Sequence, residues 1–253
     1  MMKRNVLITG ASSGIGKAIA YAFAKDGDNV IITGRRLDKL EAIKRDIENK
    51  YGVQVYIYSF DVTDIEQVIL HCQSILQKVG QIHILVNNAG LALGLDKFQD
   101  YDLTDMMVMI DTNIKGLLAV THQLLPQMVM YNDGQIINIG STAGIYAYAG
   151  AAVYAATKSA VKVLSDGIRI DTIDKQIKVT TIQPGIVETD FSQVRFHGDK
   201  ARAATVYKGI EALQAEDIAN CTLFVANQPK HVQISDMTIM ATKQATGFTI
   251  HRE

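Results

Sequence analysis

The sequence predicts an α/β fold in which strands and helices alternate along the chain. Short β-type runs recur between stretches whose apolar residues have helical spacing, and such crossovers produce a parallel sheet covered by helices. A glycine-rich turn follows the first run directly, and the 253 residues contain no repeat, low-complexity tract or linker. We therefore predict one domain over 1–253, with a Rossmann-type, doubly wound parallel sheet of about seven strands and helices on both faces.

Each predicted strand is a short run rich in branched or aromatic residues. In chain order these runs are NVLIT, NVIITG, VQVYIYSF, IHILV, QIINIG, IKVTTI and DMTIMA. Between them, apolar residues recur three and four positions apart, as at Leu40, Ile43 and Ile47, which predicts amphipathic helices. Thr63 and Glu66 have the spacing of a capping box, which predicts the start of the third helix.

The stretch 184–210 follows the sixth predicted strand and has no regular apolar pattern. In doubly wound sheets, ligands bind outside the carboxyl ends of the strands. We therefore expect 184–210 to form a substrate loop or lid.

Composition excludes several classes of protein. Apolar residues make up 48%, charged residues 20% and the formal net charge is −1, so neither a nucleic-acid nor a membrane partner is indicated. No apolar run approaches the ~18 residues of a membrane span or forms a signal-peptide core. Cys72 and Cys221 have no C-x-x-C partner, and the six histidines lack metal-ligand spacing, so we expect no disulfide scaffold and no metal. A cytoplasmic protein with a small-molecule substrate fits best.

The turn TGASSGIG lies between the first strand and the first helix. Its glycines let the backbone approach a pyrophosphate closely and direct the amides of the helix N-terminus towards it. The residues expected to contact a dinucleotide here are Gly10, Ser12, Ser13, Gly14, Ile15 and Gly16.

Three other interpretations of this turn remain. A P-loop would need glycine where Ala11 stands and a hydroxyl where Ala18 stands. A hydrolase elbow at Ser12 would have only nine residues before Gly10, too few for the strand and loop that complete an oxyanion hole. The turn could also bind nothing.

Two arginines follow the second predicted strand, where an acidic residue usually binds a free ribose 2′-hydroxyl. Arg35 and Arg36 instead match a 2′-phosphate, which favours NADP over NAD; the alternative is two solvated arginines at a helix start. Asp61 and Val62, after the third strand, fall where an adenine ring would lie. Asp61 could instead be an ordinary turn residue.

Two tyrosine–lysine pairs have the same spacing, Tyr21 with Lys25 and Tyr154 with Lys158. Tyr21 lies about two helical turns beyond the glycine turn, whereas Tyr154 lies near the carboxyl edge of the fifth strand. Ser141 follows that same strand, so its hydroxyl would face the same crevice. An adjacent ammonium favours the phenolate, so the second pair predicts an acid/base device, with Ser141 holding a substrate oxygen.

Together these motifs resemble the short-chain dehydrogenase/reductase family over essentially the whole chain: the glycine turn, NNAG at 87–90, the asparagine of DTNIKG, Ser141, YAATK and QPG at 183–185. The resemblance implies that Tyr154 is the general acid/base, that Lys158 binds the nicotinamide ribose and lowers the tyrosine pKa, and that Ser141 orients the substrate. It implies that Asn113, otherwise a polar residue inside a helix, holds a proton-relaying water. The further cofactor contacts that it implies are Asn88, Gly90, Pro184, Gly185, Val187 and Thr189.

A narrower likeness concerns NNAGLALGLDKFQD, FSQVRFHGD and the late segments ATKQ and IHRE. These are similar to the branch of NADP-dependent 3-hydroxy acid dehydrogenases, which implies oxidation of serine, allo-threonine or 3-hydroxypropionate. Our hypothesis is that Arg195 attracts the substrate carboxylate; a structural salt bridge or a solvated side chain is the alternative. Another carbonyl substrate, such as a ketoacyl thioester or a xenobiotic ketone, and a non-catalytic NADP sensor also remain.

The helical patterns near 104–130 and 151–173 are apolar on more than one face. This favours self-association, and the family resemblance implies a homotetramer. Alternatively, both helices are buried inside one subunit.

Overall fold

The computed structural model describes residues 3–253 and contains one seven-stranded sheet in the order β3-β2-β1-β4-β5-β6-β7. All six strand pairs are parallel. The strands are β1 Asn5–Ile8, β2 Asn29–Gly34, β3 Val55–Ser59, β4 Ile84–Asn87, β5 Gly134–Ile139, β6 Ile177–Pro184 and β7 Asp236–Ile239. The predicted fold class is confirmed.

Helices connect the strands and cover the sheet. They are α1 Gly14–Lys25, α2 Leu37–Tyr51, α3 Ile65–Val79, α4 Leu103–Ile110, α5 Leu117–Tyr131, α6 Ala152–Asp171, α7 Phe191–Arg195, α8 Lys200–Thr205 and α9 Ala215–Ala226. A π-helical turn, Asp111–Gly116, joins α4 to α5, and a 3₁₀ turn, Thr142–Gly144, follows β5. Within the described part of the chain, none of the helices combines the length and apolarity needed to cross a membrane.

The central strands are apolar on both faces because both faces are covered. In β1, Val6 and Ile8 belong to a cluster that includes residues of α1 and α9. The intervening Leu7 belongs to a second cluster, which includes residues of α3 and α5. Successive side chains of a strand point to opposite faces, so this division follows directly from the run VLI.

The sheet order reverses between β1 and β4, because β1 is followed by β2 on one side and β4 lies on the other. Such a reversal opens a crevice at the carboxyl ends of these two strands. The glycine turn and the NNAG segment both leave the sheet at this point. The segment 184–210 follows β6 at the same edge and contains the short helices α7 and α8.

The predicted capping box at Thr63 and Glu66 is wrong. Helix α3 begins at Ile65, and its N-cap is Asp64, whose carboxylate accepts a hydrogen bond from the Gln67 amide at 3.1 Å. The hydroxyl of Thr63 instead donates to Asp61 Oδ1 at 2.9 Å. Aspartate caps a helix as well as threonine does, so the neighbouring carboxylate displaced the expected cap by one residue.

Candidate active site

The glycine turn needs glycine for two separate reasons. Gly10 and Gly14 have φ values of +65° and +52°, in the left-handed region. Gly16 has an ordinary φ, but a Cβ there would lie 2.4 Å from Asn88 Nδ2 and 2.6 Å from the Gly10 carbonyl oxygen. Asn88 in turn donates from Nδ2 to the carbonyls of Thr9, at 2.9 Å, and Gly10, at 3.2 Å. The side chain of Asn88 therefore braces the turn from β4.

The two arginines after β2 approach the glycine turn. Arg36 donates from Nη2 to the hydroxyls of Ser12, at 2.9 Å, and Ser13, at 2.7 Å. Arg35 forms an exposed ion pair with Asp61, with Nη1 3.3 Å from Oδ2. Arg35 and Arg36, together with the hydroxyls of Ser12 and Ser13, form a positively charged border beside the glycine turn, here called the cationic edge.

Asp61 has three hydrogen-bond donors close by. Burial opposes its ionisation, but the amide and hydroxyl of Thr63 and the guanidinium of Arg35 hold its pKa below the ordinary value. Val62 is buried, and a Cβ on Gly116 would lie 2.7 Å from Val62 Cγ2, so Val62 packs against the π-helical turn. Both residues lie beside the cationic edge.

Asn113 lies in the π-helical turn and is almost fully buried. Its Oδ1 accepts from the Leu91 amide at 2.9 Å, and its Nδ2 donates to the Leu91 carbonyl at 2.8 Å and to Thr157 Oγ1 at 3.0 Å. The Thr157 hydroxyl donates in turn to the Tyr154 carbonyl at 2.8 Å. Asn113 therefore joins the loop after β4 to helix α6.

Tyr154, Lys158 and Ser141 meet at the carboxyl end of β5. Ser141 caps the 3₁₀ turn by accepting from the Ala143 amide at 3.1 Å, and Lys158 donates from Nζ to the Ile139 carbonyl at 2.9 Å. A Cβ on Gly90 would lie 3.1 Å from Asn113 Oδ1 and 3.3 Å from Lys158 Nζ. Three of the four residues predicted to be catalytic, Ser141, Tyr154 and Lys158, thus line one crevice, and the fourth, Asn113, is buried behind it.

Burial controls the ionisation of the tyrosine and the lysine. It raises the pKa of Tyr154 to about 12, although the positive charge of Arg195 and a hydrogen bond with Ser141 act in the opposite direction. It lowers the pKa of Lys158 to about 8. Both shifts follow from the cost of placing a charge in an apolar environment.

The other tyrosine–lysine pair, Tyr21 and Lys25, lies outside the crevice. The Tyr21 hydroxyl donates to Asp46 Oδ2 at 2.7 Å, on the outer surface between α1 and α2. Burial and this hydrogen bond raise the pKa of Tyr21 to about 12. Tyr21 does not line the crevice around Tyr154, so the shared spacing alone could not show which pair lies in the crevice.

The crevice has a volume of about 250 Å³ and is closed on one side by 184–210. The predicted residues that line it are Gly10, Ser13, Gly14, Ile15, Asn88, Gly90, Ser141, Tyr154, Lys158, Pro184, Gly185, Val187, Thr189 and Arg195. The predicted residues outside its lining are Ser12, Gly16, Arg35, Arg36, Asp61, Val62 and Asn113. Among residues 3–253, no group of three or more histidine, cysteine or acidic side chains could hold a metal.

Arg195 ends helix α7 and points into the crevice. Its Cζ lies 5.2 Å from the ring centroids of both Tyr154 and Phe191, and its Nη2 donates to the Tyr148 hydroxyl at 3.2 Å. Its Nε is buried without a hydrogen-bond partner. Among residues 3–253, no carboxylate forms an ion pair with it. The alternative of a structural salt bridge thus finds no partner in the described part of the chain, and the side chain as a whole is half-buried.

Two residues that support the lid were missed in the sequence. Gln244 is buried, and its Oε1 accepts from the Ile186 amide at 2.9 Å. The Tyr207 hydroxyl lies 2.7 Å from Ser192 Oγ and donates to the Val187 carbonyl at 3.3 Å. Phe191 and Tyr148, which hold Arg195, were also missed. Each of these four residues makes a contact with a residue of another element, and no local sequence pattern predicts such a contact.

The chain is similar to proteins of known activity along nearly its whole length. It is 41% identical over 251 residues to an NADP-dependent 3-hydroxy acid dehydrogenase of Schizosaccharomyces pombe, covering 99% of this chain and 97% of that protein. It is 42% identical over 247 residues to a sulfoacetaldehyde reductase of Chromohalobacter salexigens, covering 97% of each. Among solved structures, the closed form of a serine dehydrogenase with NADP⁺ superposes with a TM-score of 0.91 at 41% identity, covering 98% of this chain and 100% of that one.

The family model described as short chain dehydrogenase matches residues 4–200, which include the glycine turn, the π-helical turn and the pair Tyr154 and Lys158. The matched range contains the parallel sheet from β1 to β6. The chain therefore belongs to the short-chain dehydrogenase family.

Proposed function

We propose that this chain is an NADP-dependent oxidoreductase that transfers a hydride between NADP(H) and a small 3-hydroxy acid or the corresponding semialdehyde or keto acid. Residues 1–253 act as one domain, with 184–210 as its lid. The observation that carries the proposal is Arg195, a guanidinium without a carboxylate partner among the described residues, in the same crevice as Tyr154 and Ser141.

The residues of the crevice fit a phosphorylated dinucleotide. A Cβ at Gly10 or Gly16 would fall within 3.0 Å of the loop after β4 or of the turn itself, so glycine lets the turn pack tightly there. The backbone of the turn reaches the crevice at Gly10, Ser13 and Gly14. Arg36 and the hydroxyls of Ser12 and Ser13 offer charge and hydrogen bonds to a 2′-phosphate. NADP, when bound, supplies the acceptor or donor of the hydride. Its contacts would be Gly10, Ser12, Ser13, Gly14, Ile15, Gly16, Arg35, Arg36, Asp61, Val62, Asn88, Gly90, Tyr154, Lys158, Pro184, Gly185, Val187 and Thr189.

The chain's own residues move the proton. In oxidation the Tyr154 phenolate accepts the proton of the substrate hydroxyl, and in reduction the phenol returns it. The Ser141 hydroxyl holds the reacting oxygen by a hydrogen bond. Lys158, as an ammonium, favours the phenolate, and Asn113 holds the water through which the proton reaches solvent.

Arg195 holds the acid group of the substrate. A guanidinium binds a carboxylate through parallel N–H donors, and its free Nε–H supplies one of them. Glu188, which would repel such a substrate, is exposed and accepts from Gln214 Nε2 at 3.3 Å outside the crevice. Among the described residues, the crevice lining carries two cations, Lys158 and Arg195, and one carboxylate, Asp190, and this balance favours an anion beside Arg195.

The same charge favours a second candidate, the reduction of an anionic aldehyde that carries a sulfonate, as the name of one relative indicates. A ketoacyl thioester or a neutral xenobiotic ketone fits less well, because it would leave the half-buried guanidinium without a counter-charge and its buried Nε without an acceptor. A non-catalytic NADP sensor would not need Tyr154, Lys158, Ser141 and Asn113 in one place.

We also propose a homotetramer in the cytoplasm. Large apolar side chains on the outer faces of α4, α5 and α6 are exposed, and association would bury them. They are Leu103, Met107, Leu118, Met130, Val163 and Ile170. A monomeric mass in light scattering at micromolar concentration would contradict this assembly.

The test is a set of initial rates with NADP⁺ and NAD⁺ in parallel, using serine, allo-threonine, 3-hydroxypropionate and a neutral secondary alcohol. We expect NADP⁺-dependent oxidation of the hydroxy acids. Tyr154→Phe should lower kcat by at least about 10²-fold because the proton acceptor is lost. Tyr21→Phe, which changes the other tyrosine–lysine pair, should keep the activity.

Arg195→Ala is the second variant of this experiment. It should raise KM for the hydroxy acids and leave KM for the neutral alcohol almost unchanged, because only the acids carry a carboxylate. Unchanged discrimination between acids and alcohols would refute the role of Arg195 in binding. A preference for NAD⁺ would refute the cofactor assignment.

A further inference from the structure

Arg195 contacts the general acid/base of the proposed mechanism as well as the space for the substrate. Its guanidinium lies over two neighbouring aromatic rings, those of Phe191 and Tyr154: its Cζ is 5.2 Å from each ring centroid, and the two centroids are 5.8 Å apart. The Tyr148 hydroxyl accepts a hydrogen bond from it at 3.2 Å, and the Arg195 carbonyl accepts from the Gly94 amide at 2.8 Å. Both the side chain and the backbone of this residue are thus held in place.

The proposed mechanism already sets one cation beside Tyr154, the ammonium of Lys158, but that cation does not lie over the tyrosine ring. Lys158 lies one turn further along α6, and its Nζ donates to the Ile139 carbonyl. Asp190 lies at the mouth of the crevice. The remaining ionisable neighbours are the phenols Tyr101, Tyr148 and Tyr207. Among the described residues, Arg195 is the cation that lies over the tyrosine ring.

The positive charge of Arg195 acts on Tyr154, a phenol whose ionisation is opposed by burial. Burial raises the pKa of Tyr154 to about 12, and Arg195 counteracts that rise. A cation within a few ångströms of a phenol stabilises its ionised form, and the effect is stronger where water is excluded.

We propose that Arg195 is a positioning residue for proton transfer in addition to its role in substrate binding, because its guanidinium favours the phenolate of Tyr154. This inference rests on the proposed function, in which Tyr154 exchanges the proton. It also assigns a role to the lid, since α7 brings the charge to the ring when it packs over the crevice.

A consequence concerns the charge of the substrate. A carboxylate bound to Arg195 neutralises part of the charge over the ring, so the phenolate becomes a stronger base when an acid substrate is present. A neutral alcohol leaves the charge in place. In the wild-type enzyme, the acidic limb of the kcat profile should therefore lie at higher pH with a hydroxy acid than with a neutral alcohol.

The experiment measures kcat/KM against pH for NADP⁺-dependent oxidation of the neutral alcohol, in which no carboxylate interferes. In Arg195→Gln, the acidic limb should move to higher pH by about one unit, because the phenolate loses its cation. Arg195→Lys keeps the charge but not the planar stacking, and its limb should move less. The matched control is Arg202→Gln, since Arg202 stacks on Phe196 at 4.4 Å in the same lid but does not line the crevice. Its limb should not move.

An acidic limb that stays in place in Arg195→Gln, with NADP⁺ binding retained, overturns the inference. If that variant does not fold, Arg195→Met, which also removes the charge, replaces it, and an unmoved limb has the same meaning. The two roles of Arg195 separate cleanly. If the variant no longer discriminates between acids and alcohols but its acidic limb does not move, the proposed carboxylate site stands and the effect on Tyr154 is refuted. If the limb moves but the discrimination is unchanged, only the carboxylate site is refuted.

Discussion

At the scale of single residues, the buried amine of Lys158 should make the stability of the fold depend on pH. Burial lowers its pKa from 10.5 to about 8, so between these values the unfolded chain binds a proton that the folded chain does not. Stability should therefore rise with pH across this window, by up to about 3 kcal/mol. Below about pH 8 the folded protein carries the full cost of a buried ammonium.

The matching measurement is thermal unfolding of wild type and Lys158→Met, without cofactor, between pH 8 and 10.5. As the pH rises across this range, the wild type should gain stability relative to Lys158→Met. Lys25→Met, a change in the outer tyrosine–lysine pair, should follow the wild-type curve. Parallel curves for wild type and Lys158→Met would contradict the prediction.

Local motifs were sufficient to predict several of these residues. Gly10 and Gly14 stand in a recognisable turn, and Tyr154 and Lys158 occupy one helix face. Arg195 was predicted as a binding residue, but its contact with the Tyr154 ring was not, because 41 positions separate them in sequence. A pattern within one element cannot report a contact that only the lid creates.

At the scale of elements, the π-helical turn between α4 and α5 positions the site. It turns Asn113 inwards, where the amide contacts Leu91 and Thr157. Apart from the family resemblance, the sequence indicated a polar residue inside a helix, since the partners of Asn113 lie 22 and 44 positions away. π-Helical turns are frequent at functional sites because they redirect one side chain without ending the helix.

Thr157→Val tests this link. The change should leave one N–H of Asn113 buried without an acceptor, at a cost of about 1–3 kcal/mol, and should lower kcat because Asn113 is less well held. Thr222→Val is the control: Thr222 is equally buried, but its hydroxyl bonds only to the Ile218 carbonyl of its own helix. Chemical denaturation and kcat of both variants check the prediction, and equal losses would count against it.

At the scale of the whole molecule, distant parts of the chain complete the crevice. The sheet places the glycine turn after β1 next to the loop after β4, and Gln244, beyond β7, supports Ile186 after β6. The alternation of strands and helices was enough to predict this sheet. It could not predict which late residue would contact the lid, because that contact depends on the path of an irregular segment.

Gln244→Ala should loosen the lid. The Ile186 amide loses its acceptor, and we expect KM for NADP⁺ and for the hydroxy acid to rise several-fold while Tm falls only slightly. Faster proteolysis within 184–210 would accompany the change. Gln228→Ala removes a glutamine whose Nε2 bonds to the Phe224 carbonyl at the surface, and it should alter neither KM nor proteolysis. Similar KM values for Gln244→Ala and wild type would contradict the expectation.

The contact between Gln244 and Ile186 also sets the order of events during protein synthesis. The ribosome makes β1 to β6, Tyr154 and the segment 184–210 before it reaches residue 244. A nascent chain can therefore assemble most of the sheet while the lid still lacks its support from the later segment. The hydrogen bond from Ile186 to Gln244 therefore forms only after the segment beyond β7 has been made, later than the strands and helices that surround the crevice.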